Sequence, residues 1–171
     1  MINESPKQTN FTTILLLPTK ELRLERGIHQ AQLAERIGKS PSSLAKIEAG
    51  KSPLTMDVFL AYCGALMVSP SAVMATAERY AALLSSKGWC ILQSSLEDKD
   101  DDLLKASQEY YSSPGYKRRV NMNNIMPSAL NGPIFYQNGN VDGLTVFMFA
   151  LFPKCKQQQL EVIDQFPFQI N

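Results

Sequence analysis

Two adjacent serines, Ser42 and Ser43, precede a lysine, Lys46, by one helical turn. On a helix these three share a flank, because side chains three and four residues apart are neighbours. Small hydroxyls at the start of a helix, a lysine one turn on and Lys51 just past its end suit an element that enters a groove lined with phosphates. Other chemistries find less support. The single histidine, His29, has no nearby nucleophile to serve and too few companions for a metal site. Cys63, Cys90 and Cys155 are odd in number and far apart, which predicts reduced thiols. The acids Glu97, Asp98, Asp100, Asp101 and Asp102 lack the glycine and distant glutamate of a calcium loop and read as a solvated helix start. Ser128 with Lys154 or Lys156 lacks the surroundings of a self-cleaving peptidase, and there is no phosphate loop, HExxH or GxSxG. No enzyme, cofactor or metal is implied.

The elements that must position the Ser42–Lys46 flank are marked by caps and stops. Residues 20–26 form a first helix ended by Gly27, with Pro18 either in its first turn or inside a longer helix reaching back through residues 14–17. A second helix, 30–37, puts Leu33, Ala34 and Ile37 on one face before Gly38. Ser40 caps a third, Pro41 takes its first position, Leu44 and Ile47 point inward, and Gly50 ends it. Thr55 opens a fourth helix through Leu66, and Ser69-Pro70 a fifth through Ala81. Only Gly38-Lys39-Ser40 separates the second and third helices, so they must cross steeply, leaving the Ser42, Ser43 and Lys46 flank exposed.

The run Leu22-Arg23, Arg26-Gly27, Gln30-Ala31-Gln32-Leu33-Ala34, Ile37-Gly38 and Ser40 through Lys51 resembles the Xre/Cro-type, lambda-repressor-like helix-turn-helix family over residues 19–80. The resemblance implies that Gln30 lies against the DNA backbone and that the third helix enters the major groove. Ser42, Ser43 and Lys46 would then read bases, and Ser40, Lys51 and Lys39 would hold phosphates. It also implies that Glu48 is a buried acid bracing the motif. Two positions depart from the pattern: Pro41 replaces a polar reader and His29 replaces the usual Ser or Thr cap. Readout should therefore lean on Lys46 and on DNA shape.

The second half has a different texture. Residues 89–92 read as a strand, and Ser95 opens a helix to Tyr111 that Ser113-Pro114-Gly115 ends. Lys117, Arg118 and Arg119 fit either a second set of phosphate contacts or an exposed loop. Ile134 to Gln137 followed by Asn138-Gly139 predicts a hairpin with a type I′ turn. The unbroken apolar run 144–152 predicts a strand buried on both faces, or one covered by a second copy of the chain. Residues 1–10 read as a loose leader.

The fold expected is mixed. A five-helix, lambda-repressor-like DNA-binding domain (11–85) precedes a small α+β domain (89–171) that dimerises and has room for a sensor function. Of 171 residues, 44% are apolar and 19% charged, with a net charge of +1, which fits a globular protein with a core of its own. Residues 1–88 carry +3 and residues 89–171 carry −2. No apolar stretch is long enough to span a membrane, and no secretory leader is evident, so a cytoplasmic location is expected. The function expected is a bacterial or phage-type regulator, a repressor acting as a homodimer on an inverted repeat in double-stranded DNA. The alternative is an antitoxin or phage adaptor whose C-terminal half binds a protein partner.

Overall fold

Asn10 and Asp101 begin the two helices around which the chain is organised. The structure, a computed structural model, describes residues 5–121 and 128–162. Asn10 accepts the Thr13 N–H at 2.9 Å and caps helix α1 (Phe11–Glu25). Asp101 accepts the Leu104 N–H at 3.0 Å and caps helix α6 (Asp102–Tyr111). The two caps face each other: the fully buried Asp101 carboxylate also accepts the hydroxyls of Thr13 (2.6 Å) and Thr9 (2.8 Å). A solvated helix start was the expectation for this acid run. Asp101 is instead a buried junction, and α6 begins at Asp102 after a short 3₁₀ turn, later than Ser95.

The leader is a second correction. Gln8–Asn10 forms strand β1, parallel to β2 (Cys90–Leu92), with Thr9 opposite Ile91. Polar composition made this segment look loose, but backbone pairing with β2 and the Thr9 and Asn10 side chains on Asp101 hold residues 8–10, while residues 1–4 lie outside the described residues.

Of the two possible openings for the first helix, the longer one is adopted: α1 runs through Pro18, which is buried in its interior. Then follow α2 (Gln30–Arg36), α3 (Pro41–Glu48), α4 (Met56–Ala65) and α5 (Pro70–Ser86), each close to its expected position. The remaining described elements are α7 (Pro114–Asn121), the antiparallel pair β3 (Ile134–Phe135) and β4 (Val141–Asp142), α8 (Thr145–Leu151) and α9 (Pro153–Leu160).

Three expectations for the second half are overturned. The apolar run 144–152 is a helix, α8, with Val146, Phe147, Met148 and Phe149 all buried. A helix enclosed on all sides is apolar at every position, just as a doubly covered strand is, so periodicity cannot separate them. The centre of this run is buried inside the chain, while Ala150, Leu151 and Phe152 are half-buried. The basic segment after Ser113 is helical, because Pro114 sits where a helix can start and the Ser113 hydroxyl accepts the Tyr116 N–H. At the hairpin, Gly139 donates to the Tyr136 carbonyl and only Gly139 takes positive φ (83°), so the turn is not type I′.

One core crosses the chain. Ile14, Leu22, Leu33, Leu44, Phe59 and Tyr80 join Leu103, Tyr110, Phe147 and Phe149 in a single buried cluster. The Tyr80 ring stacks on Phe147 at 4.0 Å, and its hydroxyl accepts the Leu144 N–H at 2.7 Å. The composition shift near Ser85–Gly88 therefore marks the end of α5, while the packing continues across it. Among the described residues no single helix is long and apolar enough to cross a membrane.

Candidate nucleic-acid interface

Recognition through a helix needs that helix held firmly from behind and bare in front. The hold on α3 begins at Glu48, which is 4% exposed. Arg23 of α1 grips it bidentately, with Nε to Oε1 and an η nitrogen to Oε2, both at 2.7 Å. Tyr62 of α4 donates its hydroxyl to Oε1, and Gln30 of α2 donates Nε2 to Oε2, each at 2.7 Å. One carboxylate thus ties four helices together. Burial pushes the Glu48 carboxyl up, but hydrogen bonding and charge from Arg23, with Tyr62 and Gln30 donating, outweigh it and hold the group below the usual carboxylate range. Burial, then the Glu48 charge, pushes the Tyr62 phenol up, so it stays a donor.

The front of α3 is open. Ser42 and Lys46 are exposed, Ser43 is half-buried, and Lys39, Ser40 and Lys51 are exposed around them. None of Lys39, Lys46 and Lys51 has an acidic partner among the described ion pairs. Ser40 is partly committed, because its hydroxyl accepts the Ser43 N–H at 3.1 Å as the helix cap and lies 3.2 Å from the Ser42 hydroxyl. Past the helix, the N–H groups of Lys51 and Ser52 both return to the Lys46 carbonyl, which fixes Lys51 relative to Lys46. The structure therefore brings the expected group together around α3. Gln30 is half turned inward: one of its amide hydrogens goes to Glu48, and the amide has a second to offer. His29 opens α2, and its N–H donates to the Gln32 side chain.

Lys117, Arg118 and Arg119 do not form a second basic surface. Arg119 turns into the core and pairs with the fully buried Glu21 at 2.5 Å, while Tyr111 donates to the same carboxylate at 2.8 Å. Arg118 donates to the carbonyls of Gln158 and Glu161. Only Lys117 is exposed. The sequence offered no signal for this, since the partner of Arg119 lies 98 residues away. The Ser128 hydroxyl accepts the Leu130 N–H, and Lys156 pairs with Glu109, so the described bonds do not join Ser128 to a lysine. Burial pushes the Cys63 thiol up to about 11, which keeps it protonated and inert near neutrality.

Residues 20–73 match the Helix-turn-helix family model, of the Xre, lambda-repressor-like kind, so the segment holding α2, α3 and α4 has the architecture the sequence resembles. Neither a comparison with curated proteins nor one with solved structures finds a match to the chain.

Proposed function

Taking residues 20–73 as a helix-turn-helix unit of the DNA-binding kind, we propose that the chain is a sequence-specific regulator of transcription, a repressor that binds double-stranded DNA through α3. The observation that carries this reading is the pairing of a rigidly braced α3 with a bare front of hydroxyls and acid-free lysines. Lys46 reads a base, Ser42 and Ser43 line the groove, and Gln30, Lys39, Ser40 and Lys51 meet phosphates. Pro41 has no N–H to donate, so readout rests on few side chains and on the shape of the duplex.

The regulator acts as a homodimer on an inverted repeat, with its two α3 helices about one helical turn of DNA apart. Support for a second copy comes from the β3–β4 hairpin, where Ile134, Phe135 and Tyr136 are large, apolar and exposed side by side. Selection from random duplexes followed by footprinting should recover a palindrome, and light scattering should give twice the chain mass. Lys46→Ala should weaken operator binding by about 1–3 kcal/mol and relax the preference at one base pair. A variant that bound its site as tightly and selectively as the parent would remove Lys46 from the reading surface.

A further inference from the structure

The far end of α3 is held by an element outside the helix-turn-helix. Gly50, just past the helix, has φ +74°, and a Cβ built there would lie 2.4 Å from Cδ1 of Leu104, a buried residue in the first turn of α6. One turn further along α6, the Gln108 side-chain amide donates to the Ala49 carbonyl at 3.2 Å. That carbonyl closes α3 and belongs to the set a helix leaves without an intrahelical partner. The contact comes from a firmly seated helix, because Asp101 caps α6 and binds Thr9 of β1 and Thr13 in the first turn of α1. Beyond Gly50, Lys51 and Ser52 fold back onto Lys46, so whatever fixes the turn also fixes both lysines.

We propose that α6 is a positioning element of the DNA-reading surface, with Leu104 and Gln108 setting the pose of the C-terminal end of α3 and of Lys46 and Lys51. This inference rests on the reading of α3 as the DNA-contacting helix. It gives the second half of the chain a direct part in recognition, separate from dimerisation.

The test uses the full chain and two readouts. Gln108→Met keeps length and removes the donor without adding charge. It should weaken binding to the selected duplex by about threefold to tenfold, the worth of one hydrogen bond. The thermal midpoint should fall only slightly because Gln108 is exposed, and the salt dependence should be unchanged, since no phosphate contact is lost. Amide exchange at Gly50, Lys51 and Ser52 should quicken without DNA present. Parent-like affinity for Gln108→Met, or a loss of affinity with unaltered exchange, overturns the proposal. A parent chain that binds no duplex defeats the DNA-binding reading instead. Exchange in Gln108→Met then decides whether the brace exists.

Discussion

Helix α1 carries two buried ion pairs two residues apart, and they differ in kind. Arg23 reaches Glu48 within the helix-turn-helix, with Tyr62 and Gln30 completing the carboxylate's bonds. Glu21 reaches Arg119 in α7, with Tyr111 donating to the carboxylate and Tyr110 meeting the guanidinium. The first ties α3 to its own unit; the second ties that unit to the rest of the chain. Each is a charge taken out of water and matched by donors, an arrangement that adds little net stability when whole and costs much when halved. Two such locks on one helix mean that α1 cannot shift without opening either the motif or the joint between halves.

Cutting the chain after Gly88 should give the largest effect. It removes every partner of Glu21 and of the Thr9 and Thr13 hydroxyls on the C-terminal side and bares the core face around Tyr80. The fragment should lose cooperative unfolding in urea; a sharp transition at the parent midpoint would show that the joint is dispensable. Arg23→Met, which strands the Glu48 carboxylate, should cost about 3–5 kcal/mol in urea unfolding and abolish duplex binding. Arg119→Met strands Glu21 and should cost about 3 kcal/mol, since Arg119 is partly exposed, with affinity per folded molecule nearly kept. Equal losses of affinity in the two variants would erase the distinction between the locks. Tyr62→Phe should cost about 1.5–3 kcal/mol, one hydrogen bond to a charged group.

Acid should act through the first lock. Because the Glu48 pKa is lower folded than its ordinary 4.5, ionisation of Glu48 stabilises the fold fully above about pH 4.5. That contribution drains away as pH falls through the folded value. A Glu48→Gln chain should therefore be less stable at neutral pH and show a flatter decline below pH 4.5.

Of the two locks only the buried acid of the first, Glu48, is legible in the sequence, and the reason is physical. The family resemblance implies that Glu48 is a buried brace, while its partners Arg23 and Tyr62 carry no signal of their own and Gln30 is expected on the DNA backbone. Arg119 reads as a phosphate contact or part of an exposed loop, and Glu21 carries no signal, because nothing local says that α7 will pair with α1. The same holds elsewhere. Helices α3, α4 and α5 follow from Ser, Thr and Pro starts and α2 from its apolar face and the Gly38 stop, and the α3 residues that meet at the candidate interface follow with them. Helix α8 is decided by enclosure between neighbours, which no pattern of seven residues records. Strand β1 is decided by backbone partners in a segment eighty residues later.

The Thr9 hydroxyl binds a carboxylate 92 residues further on. On a ribosome, α2 to α4 emerge while the start of α1 still has nothing to close against. The short α-helical unit must wait for Asp101, and then for Arg119, before its first helix is seated. A nascent chain should therefore seat its first helix only after the segment from Asp101 to Arg119 has emerged.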